Sequence, residues 1–374
     1  MHISPDEISA CGIDTSVLDQ KKQQTTYKIK YVTRYVKQWA IIEANRQKIS
    51  VINFIDCMCN AGVYKDGDAC TALEVINIFN ELAVKFPQKL FRVYLNDINE
   101  DRIKTFKAII NRTVKRNSNL ILKWANVDVN ILLDNLAGNA KLENQMFSYG
   151  KCTLLYVDPY NFGTVEISKL HNILQKHYCE LLFNLFTSDF VRNVDKDSGR
   201  IQKCLGGYKP KTKDEFITYV VNQLRTGKIQ YIFSYSFHTM RNVELYQILY
   251  ATPNIRGLEV LKESLWDVFD GEEFHRNSPY DNQNIEQLSM FTPQENKRIK
   301  LDEYAEEAKK IVRTAFTGMT VTYESIERKI LEETMLTATQ IIDPVLKPLI
   351  AEGKLQKCGN AGKRNYKGDN YIFL

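Results

Sequence analysis

The stretch Val51-Ile52-Asn53-Phe54-Ile55-Asp56-Cys57-Met58-Cys59-Asn60-Ala61-Gly62-Val63-Tyr64 decides the fold. A short, mostly apolar run rich in β-branched and aromatic residues ends in an acid, and the chain then turns through Gly62. Such a run reads as a strand buried on both faces of a parallel sheet, and glycine permits the sharp turn after it. A second run, Leu154-Leu155-Tyr156-Val157-Asp158-Pro159-Tyr160-Asn161-Phe162-Gly163, also ends in an acid. In an open α/β sheet, ligands bind outside the carboxyl ends of the strands. Two acids at two strand ends therefore predict a composite site.

Working outward, a helix is predicted from Thr25, with Ile29, Val32, Tyr35, Val36, Trp39 and Ile42 along one side and Lys28, Lys30, Arg34 and Lys37 on the other. Further strands are expected at Leu90 to Leu95, Leu120 to Trp124, Glu180 to Phe186 and Lys228 to Phe237, with helices at Thr71 to Val84 and Arg102 to Ile110. This alternation predicts a layered, Rossmann-like α/β sheet with helices on both faces. Residues 1–48 read as a loose lead-in and a basic amphipathic helix, and residues 49–290 as the core. The polar segment from Pro279 to Ile299 reads as a linker. Over residues 300–374, helices at Glu303 to Phe316, Thr322 to Glu332 and Thr337 to Glu352 precede a basic ribbon with Gly359 and Gly362 in its turn. That order predicts a winged-helix-like α+β domain, with Thr337 to Ile350 as recognition helix and Cys358 to Asp369 as wing. Such domains serve either nucleic-acid or protein contact.

The 374 residues suffice for one large core and a smaller domain. The formal net charge of +5 is modest, but it is unevenly spread. Between Lys21 and Lys48, eight Lys or Arg face the single Glu43, and from Val345 to Leu374 six face Glu352 and Asp369. Basic ends of this kind suit a polyanion such as DNA or RNA. The eight cysteines have no repeating spacing, which favours reduced thiols and a cytoplasmic protein. No run approaches the roughly 20 apolar residues of a membrane span. Cys57-Met58-Cys59 lacks the second pair of a zinc site, and His171 and His177 are not at helical ligand spacing, so no metal is expected. Gly-x-Ser-x-Gly and phosphate-loop motifs are absent from the sequence, which argues against an α/β hydrolase or a P-loop ATPase.

The acids supply the chemistry. Asp56 is placed to orient the amino-acid end of a sulfonium cofactor, Gly62 to let it approach the backbone, and Tyr64 to close over it. Asn96 and Asp97, after the second strand, suit ribose hydroxyls, and Asp128, after the third, suits an adenine amine. Asp158-Pro159-Tyr160 is like the Asp/Asn-Pro-Pro-aromatic element of amino-methyltransferases acting on bases. Proline stiffens the turn, so that the acid and a main-chain carbonyl accept hydrogen bonds from an exocyclic amine. Tyr160 or Phe162 would stack on the base. The combined layout is that of an S-adenosylmethionine-dependent methyltransferase on a Rossmann-like class I sheet. A non-catalytic nucleotide-binding module is the main alternative, and a nuclease a weaker one that lacks a carboxylate cluster for metal.

At these residues the chain resembles the three-Cys-motif partner (TcmP) family. The resemblance spans about Thr25 to Trp266 and rests on Tyr27-Lys28…Tyr31…Tyr35…Trp39…Ile42, on Asp56 through Tyr64, and on Asp158-Pro159-Tyr160. Glu180 to Asn193 and Leu245-Tyr246…Leu249…Ala251 continue it. It implies a methyltransferase-like core and a three-cysteine radical-SAM-like protein as partner, and it fixes no substrate. The family's Phe-Ala-Gly reads Met58-Cys59-Asn60 here, so the first glycine is Asn60. Asn tolerates left-handed backbone angles better than most residues.

Overall fold

A computed structural model of the chain describes residues 1–196, 198–238, 244–269, 293–358 and 366–374. These fall into two compact units, one built from the chain up to Asn254 and the other running over Ile255–Leu374.

The first unit opens with α1 (Pro5–Ala10), capped by Ser4 in a reciprocal capping box with Glu7. A 3-10 turn at Thr15–Val17 follows, and then the long helix α2 (Gln23–Asn45). Residues expected to form a loose lead-in are in fact docked, because Ile3, Ile8 and Leu18 are buried and Ile3 N–H donates to the Gly67 carbonyl at 2.9 Å. The α/β elements alternate: β1 (Val51–Asp56), α3 (Thr71–Lys85), β2 (Leu90–Asn96), α4 (Glu100–Thr113), β3 (Leu120–Ala125), α5 (Val129–Gly138), α6 (Ala140–Phe147) and β4 (Lys151–Val157). After these come α7 (Ile167–Lys176), β5 (Glu180–Leu185), α8 (Thr187–Asn193), α9 (Ser198–Leu205), α10 (Lys213–Leu224), β6 (Tyr231–His238) and β7 (Glu244–Thr252).

The strands make one sheet in the order β3-β2-β1-β4-β5-β7-β6. All neighbours are parallel except β7, which runs antiparallel to both β5 and β6. All six residues of β1 are buried, as expected for a central strand covered on both faces. Strand alternation divides the two faces. Ile55, Leu155, Val157, Leu181 and Phe183 join a core cluster with residues of α5, α7 and α10. Tyr156, Glu180, Asn184 and Tyr250 turn to the opposite face, where Tyr31 and Tyr35 of α2 meet them: Tyr31 OH donates to Asn184 at 3.2 Å and Tyr35 OH to Glu180 at 2.5 Å. The chain reverses its winding between β1 and β4, which opens a crevice at their carboxyl ends.

The second unit contains α11 (Ile255–Phe269), α12 (Pro293–Phe316), β8 (Thr320–Thr322), α13 (Tyr323–Glu333), α14 (Lys347–Ala351), β9 (Leu355–Cys358) and β10 (Asn370–Phe373). Its sheet is antiparallel, ordered β8-β10-β9. Buried Lys262 of α11 donates to the carbonyls of Thr334 and Leu336 at 2.7 and 2.8 Å, and Trp266 Nε1 to that of Met335 at 2.7 Å, so α11 fixes the loop after α13. The single helix expected from Thr337 is broken into a 3-10 turn at Ala338–Gln340, a π turn at Ile342–Leu346 and the short α14. Pro344 and Pro348 lack N–H groups, and Leu346 N–H reaches back five residues to Ile341 at 3.2 Å. Gly359, Gly362 and most of the expected wing lie outside the described residues, as do residues 270–292 of the end of the expected core and the linker. Among the described residues no helix is long and apolar enough to cross a membrane.

Candidate active site

β1 delivers Asp56 to the crevice with almost no solvent access: the residue is 2 % exposed and its carboxylate accepts one backbone bond, from Met58 N–H at 3.0 Å. Burial pushes its carboxyl up to about 8, and the neighbouring Asp158 and Asp97 charges push the same way. The turn that follows is left-handed at Asn60, with φ 61°, the one non-glycine residue with positive φ among the described residues. Its side chain supports that geometry, accepting from Ala61 N–H at 2.5 Å and donating to Asp19 at 2.8 Å. Gly62, with φ 91°, meets the turn's expected need for glycine, and packing adds a second reason. A Cβ there would lie 2.4 Å from the Phe106 ring, so the missing side chain makes room for α4.

At the β2 tip, Asn96 and Asp97 divide their work. The Asn96 amide donates to the carbonyls of Cys57 and Val127, both at 3.0 Å, and accepts from Val127 N–H at 3.1 Å. It is a staple joining the ends of three strands, and its hydrogen-bonding capacity is largely used inside the protein. Asp97 accepts from Asn60 N–H at 3.1 Å and Asn99 N–H at 2.8 Å, with the Arg102 guanidinium 3.8 Å away. Burial raises its carboxyl against the pull of those donors. Asp128 caps α5 through Asn130 N–H at 2.8 Å and lines a cavity of about 350 Å³ together with Met58, Asp97, Arg102 and Tyr160.

The β4 tip carries Asp158, whose two oxygens have separate partners: Asn184 Nδ2 at 2.8 Å and the Lys28 ammonium. Asn184 is itself oriented by Tyr31. Asp158 lines a second cavity, of about 570 Å³, that also takes in Asp56, Tyr64, Pro159 and Tyr160. The two cavities share Met58 and Tyr160. Register explains the meeting of the two acids. Asp56 pairs with Tyr156 on β4, two residues before Asp158, so both acids surface at the same edge of adjacent parallel strands. Tyr160 is 55 % exposed at the cavity mouth, its hydroxyl accepting from Arg102 at 2.5 Å and donating to Asp19 at 3.2 Å. Phe162, expected as an alternative stacking face, is a core residue instead, 2 % exposed and packed edge-on against Phe190 and Phe216. The chain has left β4 and turns here, so the ring two places after Tyr160 points into the interior, under Arg200.

Several residues reach the site without having been expected there. Lys28, assigned by charge to the outer face of α2, lies in the cavity. Helical spacing places it on the same side as Tyr31 and Tyr35, three and seven residues on, and that phase was readable in the sequence. Asp19 arrives from the N-terminal segment and bridges Asn60, Arg102 (3.0 Å) and Tyr160. Its position depends on the docking of the whole segment, for which no local motif exists. Ser188 and Tyr246 line the larger cavity, and the Ser188 Oγ and the Tyr246 hydroxyl are buried without a hydrogen-bond partner.

The residues present fit a cationic nucleoside ligand. Asp56 is a buried carboxylate without a cation of the chain's own bonded to it, which an ammonium or sulfonium would stabilise. Asp97 and Asp128 line the neighbouring cavity, and both volumes fall in the few-hundred Å³ range usual for small-molecule sites. Among the described residues, no group of three or more His, Cys, Asp or Glu is arranged to hold a metal ion.

The sheet order 3-2-1-4-5-7-6, with its antiparallel seventh strand, is that of the Rossmann-like class I methyltransferase fold. No family model matches the sequence, and no curated protein matches it. Among solved structures, the chain is similar to a putative O-methyltransferase from Klebsiella pneumoniae (9 % identity, 66 % of this chain and 86 % of that one, TM-score 0.34). It is also similar to magnesium protoporphyrin IX methyltransferase from Synechocystis PCC 6803 with bound SAH (11 %, 66 % and 93 %, TM-score 0.33). A third is a type I restriction-modification methyltransferase subunit from Streptococcus thermophilus (9 %, 60 % and 43 %, TM-score 0.31).

Proposed function

We propose that this protein is an S-adenosylmethionine-dependent methyltransferase whose acceptor is the amino group of a nucleobase in DNA or RNA. The observation that carries the reading is the opening of Asp56 and Asp158 into one cavity of about 570 Å³. When bound, the cofactor supplies an electrophilic methyl group on a sulfonium. In this reading Asp56 holds the cationic amino-acid end, Tyr64 covers it, and Asp97 and Asp128 contact the nucleoside end. Asp158 and the Pro159 carbonyl would accept hydrogen bonds from the two amine N–H groups, which leaves the nitrogen lone pair free to point at the methyl group; the one proton released as the N–C bond forms would pass to Asp158. Tyr160, at the mouth, offers the stacking face. Catalysis then rests on alignment, which supplies several of the roughly 7–11 kcal/mol available from orientation.

Nucleic acid as the carrier of that base is supported by charge. Lys30, Arg34 and Lys37 lie on the exposed side of α2. In the second unit, the order helix, strand, two helical segments and ribbon supports a winged-helix reading. Affinity should then fall steeply with salt. The motifs shared with the three-Cys-motif partner family support a radical-SAM-like protein as a further partner. A second reading, a non-catalytic module on the same scaffold, is favoured by the Asp19–Arg102–Tyr160 bridge, which spans the boundary of the two cavities. Titration calorimetry with S-adenosylmethionine separates the two. Micromolar binding that weakens at least about tenfold in Asp56→Asn is expected of the enzyme; absence of binding to the intact protein supports the module.

A further inference from the structure

The larger cavity contains more polar chemistry than an acid and a stacking ring require. Lys28 comes from α2, 130 residues away in sequence, and pairs with Asp158 at the β4 tip, with only 16 % of its side chain exposed. A lysine brought this far into a cavity loses conformational freedom and hydration, and a surface ion pair would not hold it there. Its ammonium has three donors, of which the Asp158 bond uses one. Asp158 has about four acceptor sites, and Lys28 and Asn184 occupy two. The pair therefore leaves a spare donor beside a spare acceptor. Two residues that line the same cavity, Tyr246 (3 % exposed) and Ser188, each have a buried hydroxyl with no partner. Buried polar atoms left unsatisfied in a protein call for a ligand or water to complete them. The ion pair is also close to neutral overall, which suits an uncharged acceptor better than a carboxylate or a phosphate ester.

We infer that Lys28 and Asp158 together read the amidine edge of the acceptor base, an exocyclic amine next to an unprotonated ring nitrogen, with Tyr246 and Ser188 completing its polar contacts. This rests on the nucleobase-amine reading above and narrows it. Asp158 accepts from the amine while Lys28 donates to the adjacent ring nitrogen. Adenine (N6 and N1) and cytosine (N4 and N3) present that pattern; thymine and uracil lack the amine. Lys28 is thus a specificity-determining residue, and the Lys–Asp pairing fixes the orientation in which the amine is offered.

The test uses the full chain and single-stranded oligonucleotides, in deoxy and ribo form, each carrying one adenine, cytosine, 1-deazaadenine or 3-deazacytosine in a thymine or uracil tract. Fluorescence anisotropy reads binding, and transfer from labelled S-adenosylmethionine reads turnover. The intact protein should prefer one natural base over its deaza analogue by about 10- to 100-fold, the effect of one hydrogen bond to a charged group. Lys28→Met should erase that ratio, and Lys28→Arg, which keeps a cationic donor, should retain part of it. Equal treatment of base and deaza analogue by the intact protein, a measurement that needs no variant, overturns the inference and leaves the methyltransferase reading standing. An unchanged ratio in a folded Lys28→Met protein overturns it equally. Failure to bind or modify any amine-bearing oligonucleotide instead removes the nucleobase reading itself, and the inference with it.

Discussion

The two acid-bearing strand tips of the sheet look alike in sequence and differ in their surroundings. Asp56 is almost fully buried and receives one backbone N–H, so its carboxyl is pushed up to about 8. Asp158, two residues further along in register, meets an ammonium and a side-chain amide from its own chain. Parallel pairing sets where both acids emerge, but the elements laid over them decide their chemistry. α2 covers Asp158 and brings a cation. The loop from Cys57 to Cys70 bonds to Asp56 through the Met58 N–H, and its one cation, Lys65, is exposed. An uncompensated acid is a place for a cationic ligand, and a compensated one a place for a neutral polar group.

Breaking that contrast at Asp158 should give the largest effect. Asp158→Ala leaves Lys28 without its carboxylate and removes the amine acceptor, so methyl transfer to an accepted oligonucleotide should fall by about 100-fold or more. Stability should drop by roughly 2–3 kcal/mol, less than for a fully buried pair because both side chains keep some exposure. Steady-state kinetics and urea unfolding check the two parts. Transfer that survives the substitution intact would remove Asp158 from its assigned role.

The contrast sharpens at Asp56 through pH. Its native carboxyl holds a proton that the unfolded chain releases, so between about pH 4 and about pH 8 the unfolded state binds fewer protons. Stability should therefore fall as pH rises across that window, and the loss should be complete above it. Glu180, raised to about 7 by burial, acts with the same sign up to that pH. Asp56→Asn removes the larger contribution. Its thermal midpoint at pH 9 should exceed that of the parent by roughly 5 °C or more, with little difference at pH 4. Calorimetric scans at the two pH values measure this. A parent whose midpoint does not fall between them would mean that Asp56 ionises normally.

A smaller effect separates two positions of the same loop. Gly62→Ala should destabilise by about 2 kcal/mol, since its Cβ would collide with the Phe106 ring and its backbone is left-handed. Asn60→Gly should change stability by less than about 1 kcal/mol, because eased backbone strain offsets the lost bonds to Asp19 and Ala61. Urea midpoints at unchanged slope would establish both. A larger loss at Asn60 than at Gly62 would show that the side-chain bonds, and not the packing of α4, hold the turn.

Much of the scaffold was legible because its signals are local. β1 was expected at Val51 to Ile55 and runs Val51–Asp56, and α3 was expected at Thr71 to Val84 and runs Thr71–Lys85. Central strands buried on both faces advertise themselves as apolar runs. β7 was not distinguished as a strand, and its direction against β5 depends on pairing, which leaves no mark on a short segment. The helix expected from Thr337 is broken by the two prolines at 344 and 348, which remove N–H donors from its interior. Within the site, Asp56, Tyr64, Asp158 and Tyr160 do share a cavity. Asn96, Gly62 and Phe162 are used for stapling, packing and core, because a residue type announces what it can bond and not which neighbour reaches it first.

The amino-acid order by itself determined the alternating elements, the buried central strands and the acids at their ends, since each follows from the propensity and spacing of residues a few positions apart. Tertiary structure decided which acid is left alone. Asp158 meets Lys28 across 130 residues, and Asp19 reaches Asn60 across 41. No local periodicity encodes contacts at that separation; they exist only once α2 and the N-terminal segment have packed onto the sheet.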